Sequence, residues 1–221
     1  MKECDVVVVG AGPAGLMAAR MAARAGVSVV VLEASRKLGE KVCGEAISRA
    51  TLDTAEVQPS PKFVALSNVD HVVVYAPDES RYIEISAGAL GFEGGYIIEK
   101  RLFLLEMARL AAKEGAEIWV NTAAKDFQRV EGGLIAVKTS APHPRSELLA
   151  KVVVGCDGVG SVVAKKFFAE HRLDLVSCIQ YKIVGCQGLD ESTLEFFVGS
   201  SVAPHGYVWI FPKGGDVANV G

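Results

Sequence analysis

Metal ligands and paired cysteines are scarce in this sequence. Its five cysteines are an odd number, and no two of them form a C-x-x-C pair. No group of histidines, cysteines and carboxylates has the spacing that a zinc site needs. These absences argue against a disulfide framework and a zinc centre, so the sequence predicts no metal and indicates a reducing compartment.

Net positive charge and long apolar runs are also missing. The 23 basic side chains are outnumbered by 26 acidic ones, which gives a formal net charge of −3, unlike the basic character of nucleic-acid-binding proteins. No apolar run reaches the about 18 residues of a spanning helix, and the first strand-like residues come too early for a signal peptide. We therefore expect a cytoplasmic protein, soluble or peripheral at a membrane, that binds no nucleic acid.

The N-terminal segment carries the most specific pattern. The stretch "DVVVVGAGPAGLMAARMAARAGVSVVVLE" predicts a buried strand from Val6 to Val9, a helix to about Ala25 and a second buried strand from Val27 to Leu32. A glycine turn separates the first strand from the helix. This is the strand, turn and helix context in which a dinucleotide-binding turn is expected.

The turn has the G-x-G-x-x-G pattern at Gly10, Gly12 and Gly15. The first glycine allows the tight turn, the second lets a pyrophosphate approach the backbone, and the third lets the helix pack closely on the sheet. At the end of the second strand, Glu33 can accept hydrogen bonds from a ribose hydroxyl and would repel a 2′-phosphate. On these residues alone the ligand is FAD or NAD, and NADP is disfavoured.

Beyond Glu33 the alternation of strand and helix stops. The segments "HVVVYA", "RYIEIS", "GYIIE" and "AEIWV" predict strands, "KRLFLLEMARLAAKEG" a helix, and "AKDFQRVEGGLIAVKTS" a hairpin. The segments "LVSCIQYKIVG", "STLEFFVG", "GYVWIFPKG" and "DVANVG" predict a mainly antiparallel sheet. Cys4, Cys178 and Cys186 lie in such strand-like runs and are expected in the core.

These segments predict an α/β fold of interleaved α+β type. A Rossmann-type nucleotide-binding domain, residues 1–68 and 95–165, is interrupted by an inserted, mainly antiparallel β-sheet domain, residues 69–94 and 166–221. The inserted sheet is expected to form the substrate and catalytic domain.

A second turn follows a buried strand in "VVVGCDGVGSVVAKK". The strand leads to Asp157 and Gly158, and Ser161 is placed to cap a helix that begins near Val162. With the two glycine turns together, the chain resembles the flavoprotein superfamily of aromatic hydroxylases and prenyl reductases. That resemblance implies FAD as the bound dinucleotide, with the Asp157 turn beside the flavin.

Two further stretches, "KVCGEAIS" and "GYVWIFPKG", resemble the Cys-Gly loop and the aromatic strand of archaeal geranylgeranyl reductases. The resemblance extends over the whole chain, although Lys100 stands where that family has an arginine and His205 where it usually has a glycine. Members of the family also continue to a third flavin-binding turn, so we expect this chain to lack a C-terminal part. The cofactor-binding residues that the resemblance implies are Gly10, Gly12, Ala14, Gly15, Glu33, Ala34, Lys41, Cys43, Gly44, Lys100, Asp157 and Gly158.

The resemblance also implies a catalytic set of Cys43, Gly44, Tyr207 and Trp209. Saturating an unactivated alkene needs a proton opposite the hydride, and either Cys43 or an ordered water can supply it. Gly44 would let the loop approach the flavin ring. Tyr207 and Trp209 share one face of a strand, which forms the wall of a prenyl-chain tunnel or part of an ordinary core.

The function that the resemblance implies is FAD-dependent reduction of double bonds in the geranylgeranyl chains of membrane ether lipids. The partners would be an isoprenoid lipid and an external electron donor, NAD(P)H or ferredoxin. Two alternatives remain at this point: a monooxygenase of the aromatic-hydroxylase type, and an inactive nucleotide-binding fragment.

Overall fold

The computed structural model of the protein describes residues 2–91, 93–168, 173 and 175–221. The chain divides into two compact units, the first formed by Met1–Glu40 and Leu104–Leu175 and the second by Lys41–Phe103 and Val176–Gly221. The division differs from the expected boundaries chiefly at residues 41–68, which belong to the second unit because their strands pair within it.

The described residues form strands β1 to β15 and helices α1 to α4. In chain order these are β1 Lys2–Val9, α1 Pro13–Arg24, β2 Val29–Leu32, β3 Ala46–Ser48, α2 Arg49–Thr54, β4 Val64–Val69, β5 His71–Tyr75, β6 Tyr82–Ser86, β7 Gly95–Ile98, α3 Lys100–Lys113, β8 Glu117–Trp119, β9 Ala124–Arg129, β10 Ile135–Thr139, β11 Glu147–Gly155, α4 Val162–Phe167, β12 Tyr181–Ile183, β13 Thr193–Val198, β14 Tyr207–Pro212 and β15 Ala218–Val220.

The first unit is built on one sheet with the strand order β8-β2-β1-β11-β10-β9. Strands β8, β2, β1 and β11 are parallel, and the hairpin of β9 and β10 adds two antiparallel strands beside β11. Val7 to Val9 of β1 and the three valines of β2 are almost fully buried, as expected for parallel strands that are covered on both faces. This order places the turns after β1 and β11 side by side at the carboxyl ends of neighbouring parallel strands, where α/β sheets bind their ligands.

The second unit contains a sheet of order β12-β15-β14-β13-β5-β6 and a smaller sheet of order β3-β7-β4. In the larger sheet only the pairing of β13 with β5 is parallel among the described strands. Val69 and Ile97 from the smaller sheet pack against Trp209 and Phe211 from β14. The fold class predicted from the sequence, a Rossmann-type domain with an inserted and mainly antiparallel sheet, is therefore confirmed.

Two local predictions were wrong. Residues 175–180 were expected to begin a strand, but the strand of that segment covers only Tyr181–Ile183, at the edge of the larger sheet. Cys178, expected in the core, is exposed, and Cys186 is half-buried outside any strand, whereas Cys4 is buried as expected. Apolar residues next to an edge strand are not necessarily buried, because an edge strand has a neighbouring strand on one side only. None of the described helices is both long enough and apolar enough to span a bilayer.

Candidate active site

The glycine turn of the first unit has the close contacts that the sequence predicts. A Cβ on Gly10 would lie 2.4 Å from the carbonyl oxygen of Cys156, and one on Gly15 would lie 1.9 Å from the carbonyl oxygen of Gly10. A Cβ on Gly12 would meet nothing within 4 Å, so the space above this residue is open. No described side chain caps α1 at Gly12. Pro13 has no N–H and that of Leu16 donates to the Gly12 carbonyl, so the N–H groups of Ala14 and Gly15 are the ones available to an anion such as a pyrophosphate.

Glu33 lies directly beside this turn, at the end of β2. One carboxylate oxygen accepts a hydrogen bond from the backbone N–H of Ala11 at 2.9 Å, and the other accepts one from the N–H of Ser35 at 2.8 Å. A carboxylate can accept about four hydrogen bonds, so each oxygen keeps capacity for a ribose hydroxyl. Glu33 thus stabilises the turn and can bind a nucleotide at the same time.

Asp157 holds the second turn together. Its carboxylate accepts hydrogen bonds from the Ser161 hydroxyl at 2.6 Å and from the N–H of Val162 at 2.7 Å. The Ser161 hydroxyl in turn accepts from the N–H of Ala164 at 2.9 Å, which confirms the predicted cap of α4. Asp157 therefore fixes the turn after β11 relative to α4, and Gly158 follows it with a positive φ of 71°.

A cavity of about 350 Å³ lies between the two turns of the first unit, within the size range of ligand pockets. Of the predicted cofactor-binding residues, it is lined by Gly10, Glu33, Ala34 and Asp157. Lys125 of β9 also lines it and was not predicted. Ala14 is exposed in the first turn of α1.

The Cys43 loop belongs to the second unit. The N–H of Cys43 donates to the side-chain oxygen of Gln180 at 2.9 Å, and the half-buried Cys43 sulfur accepts from the N–H of Glu45 at 3.4 Å. A Cβ on Gly44 would lie 2.6 Å from the ring of Phe211. The loop backbone therefore lies directly on the aromatic strand β14, a contact that only glycine permits.

Glu45 is the polar centre beneath this loop. Its carboxylate accepts from Lys213 Nζ at 2.6 Å, from Asn219 Nδ2 at 3.1 Å and from the backbone N–H of Lys100 at 3.0 Å. The side chain of Lys213 is 2% exposed and that of Glu45 is 11% exposed. Glu45 also has a positive φ of 69°, a costly conformation for a non-glycine residue that only surrounding contacts can maintain.

Lys41 and Lys100, both predicted to contact the cofactor, contact each other. The ammonium group of Lys100 donates to the carbonyl oxygen of Lys41, and the Lys100 N–H is bound by Glu45. The structure therefore brings Lys41, Cys43, Gly44 and Lys100 together in the second unit. The predicted nucleotide residues of the two glycine turns lie together in the first unit.

The aromatic strand β14 is only partly accessible. Trp209 and Phe211 are buried, whereas Tyr207 is 53% exposed. Phe196 contacts the rings of both Tyr207 and Phe211, at centroid distances of 5.4 Å and 5.2 Å. Trp209 donates its indole N–H to Asn219 at 3.1 Å. Trp209 and Phe211 thus serve as core residues of this unit, and Tyr207 presents an accessible ring beside them.

Sequence reasoning missed three residues of this site. Glu45 and Asn219 were available in the quoted segments "KVCGEAIS" and "DVANVG", but a carboxylate or an amide that contacts a distant loop leaves no periodic pattern. Gln180 lies in a segment that was expected to be a strand. One sequence signal could have identified Glu45 and Lys213. Each is a charged residue in a mostly apolar segment, and charged residues are almost never buried unless an acid is paired with a base.

The parallel sheet, the uncapped helix and the acidic end of β2 define a dinucleotide-binding domain of the Rossmann type. Residues 3–173 match the family described as FAD binding domain, and residues 174–221 match the family described as geranylgeranyl reductase catalytic domain. The chain therefore belongs to the FAD binding domain family of flavoproteins. FAD is accordingly its cofactor, and the open space over Gly12 and the spare acceptor capacity of Glu33 fit it.

Individual relatives agree with this family. The chain is 40% identical to a digeranylgeranylglycerophospholipid reductase of Methanothrix thermoacetophila, over 99% of this chain and 56% of that protein. It is similar to the crystal structure of a geranylgeranyl bacteriochlorophyll reductase-like protein from Thermoplasma acidophilum, with a TM-score of 0.81 and 33% identity over 100% of this chain and 56% of that one.

More distant structures share the fold alone. A p-nitrophenol 4-monooxygenase from Pseudomonas putida has a TM-score of 0.73 at 19% identity, over 100% of this chain and 57% of that one. The chain spans about 56% of the length of the curated reductases that it matches.

Proposed function

We propose that this chain is part of an FAD-dependent reductase that saturates carbon–carbon double bonds in the geranylgeranyl chains of ether phospholipids. The observation that carries the proposal is the contact of Gly44 with Phe211, which joins the Cys43 loop to the aromatic strand within one unit. A thiol beside apolar and aromatic side chains is suited to an alkene substrate, because it offers a proton with few polar groups to desolvate.

Reduced FAD, when bound, supplies a hydride to one alkene carbon. The protein has to provide the proton for the other carbon, and we assign it to Cys43 Sγ, with an ordered water as the alternative source. The N–H of Glu45, 3.4 Å from the sulfur, would stabilise the thiolate that remains after the transfer. Solvent then returns a proton to the thiolate, so one hydride and one proton are added to the double bond.

The reaction also requires partners. An external donor, NAD(P)H or ferredoxin, would supply the electrons, and the lipid substrate would require at least peripheral contact with a membrane. The exposed ring of Tyr207 would line the approach of the prenyl chain.

The proposal is tested with flavin-loaded protein, reduced with dithionite without oxygen and mixed with vesicles that contain a digeranylgeranylglycerophospholipid. Mass spectrometry should show a gain of two hydrogens for each saturated bond. Cys43→Ala should bind FAD normally and lose most of this activity, and Cys186→Ala serves as the matched control. Hydroxylation of a phenol with NADH and oxygen, without any saturated lipid, would instead favour a monooxygenase.

A further inference from the structure

Asn219 is the most deeply buried polar side chain beside the Cys43 loop, with 0% exposure. Its Nδ2 lies 3.1 Å from the carbonyl oxygen of Cys43, 3.2 Å from that of Gly44 and 3.1 Å from Glu45 Oε2. Its Oδ1 accepts from the indole N–H of Trp209. An indole N–H can only donate, and the two carbonyls can only accept, so these partners determine the orientation of the amide.

The carboxylate of Glu45 completes this arrangement. It contacts Asn219 Nδ2 on one side and the buried Lys213 ammonium on the other, and Lys213 also lies 3.0 Å from Glu99. The neutral amide of Asn219 therefore links the loop backbone to the buried ion pair of Glu45 and Lys213. A buried polar network of this kind is rigid when all of its members are paired.

We propose that Asn219 and Glu45 are positioning residues that hold the thiol of Cys43 in one place. Asn219 binds the two loop carbonyls that flank the Gly44 Cα, and Glu45 binds Asn219 and donates its own N–H to the sulfur. Neither residue needs to touch the substrate for this role. The inference rests on the proposed function only where it gives the Cys43 thiol a role in the reaction. The loop geometry itself is independent of any reaction.

The test is the alkylation rate of Cys43 by iodoacetamide, divided by the rate of Cys186 and measured by peptide mass spectrometry on the full chain. Asn219→Asp keeps the acceptor for Trp209 but turns an oxygen toward the two loop carbonyls and Glu45. Losing one net hydrogen bond shifts a local opening equilibrium by about fivefold, so the rate ratio should rise by at least about fivefold. A general loosening of the unit would raise both rates together and would contradict the proposal.

Glu45→Gln is the second variant, and it decides the question if Asn219→Asp does not fold. It should raise the ratio in the same direction, whereas the matched acid-to-amide control Glu195→Gln should not. Glu195 lies on β13 and accepts from the hydroxyl of Tyr75. An unchanged ratio in a folded Asn219→Asp or Glu45→Gln protein overturns the positioning role.

Activity then separates this inference from the proposed function. With flavin content unchanged, both variants should lower kcat for lipid reduction more than they raise KM, because the thiol would be misplaced at the step of proton transfer. If Cys43→Ala retains full turnover while the alkylation ratio still rises in Asn219→Asp, the assignment of the proton donor fails and the positioning of the loop stands.

Discussion

Lys213 Nζ lies 2.6 Å from Glu45 Oε2, and this ion pair is almost completely removed from solvent. Such a pair contributes little net stability compared with apolar residues, but removal of one partner leaves an uncompensated buried charge. The pair therefore makes the structure of the second unit depend on both residues at once.

Replacing Lys213 by methionine should reveal this dependence. Lys213→Met should lower the free energy of unfolding of the second unit by about 3 kcal/mol, because Glu45 then remains buried without its cation. The double variant Lys213→Met with Glu45→Gln should recover part of the loss. Urea titrations followed by Trp209 fluorescence, in a Trp119→Phe background, would measure this unit separately. Additive losses in the double variant would show that the pair is not coupled.

The contact of Gly44 with Phe211 gives a second prediction. Gly44→Ala would place a methyl group 2.6 Å from a buried ring, and such overpacking should cost roughly 1–3 kcal/mol. Phe211→Leu should relieve most of this cost in the double variant, since it opens space at the same point. Gly88→Ala is the matched control, because a Cβ there meets nothing within 4 Å. Equal effects of Gly44→Ala and Gly88→Ala in the urea titration would contradict the packing of the loop.

The pKa of Glu99 gives a prediction about pH. Burial raises its pKa, but hydrogen bonds from Lys182 and Lys213 outweigh burial, so the pKa of Glu99 lies below its usual value. Glu99 therefore contributes stability above the pKa of the unfolded chain, about 4.3, and this contribution is lost as the pH falls through the lower pKa of the folded state.

The denaturant concentration at the unfolding midpoint of the second unit should consequently decrease as the pH is lowered from neutral to acid. The decrease should be smaller in Glu99→Gln. Lys182→Met, which removes one of the two cations, should give an intermediate dependence. A Glu99→Gln profile parallel to that of the unaltered protein would show that Glu99 has no part in it.

The cofactor prediction concerns Glu33. Glu33→Ala should weaken FAD binding by about 2 kcal/mol, or roughly 30-fold, because the ribose loses a charge-assisted acceptor. The same substitution also removes the carboxylate that accepts hydrogen bonds from the N–H groups of Ala11 and Ser35. The protein without FAD should therefore unfold at a lower temperature as well. Fluorescence quenching of the flavin would measure the affinity, with Glu131→Ala as the control in the same unit. Undiminished affinity in Glu33→Ala would exclude this residue from the nucleotide site.

The local features of this protein were determined by its sequence. Gly10, Gly12 and Gly15, the buried valines around them and Glu33 belong to one short segment, and turn, helix packing and dinucleotide binding follow from their spacing alone. Ser161 capped its helix as predicted for the same reason. Periodicity likewise located most of the strands, but it did not predict strands β3 and β4. At residues 175–180 it predicted a strand that the structure lacks, because apolar residues beside a sheet edge carry no information about burial.

Only the tertiary structure decided how the Cys43 loop is held. Asn219 is 176 residues from Cys43, and Lys213 is 168 residues from Glu45. Long-range polar contacts depend on the pairing of β14 with β15 and on the contact of the loop with Phe211, and neither leaves a periodic trace in the chain. The sequence predicts where the backbone turns and which faces of helices and strands are apolar. The hydrogen-bond partner of a buried amide or ammonium group depends instead on which groups the folded chain brings next to it.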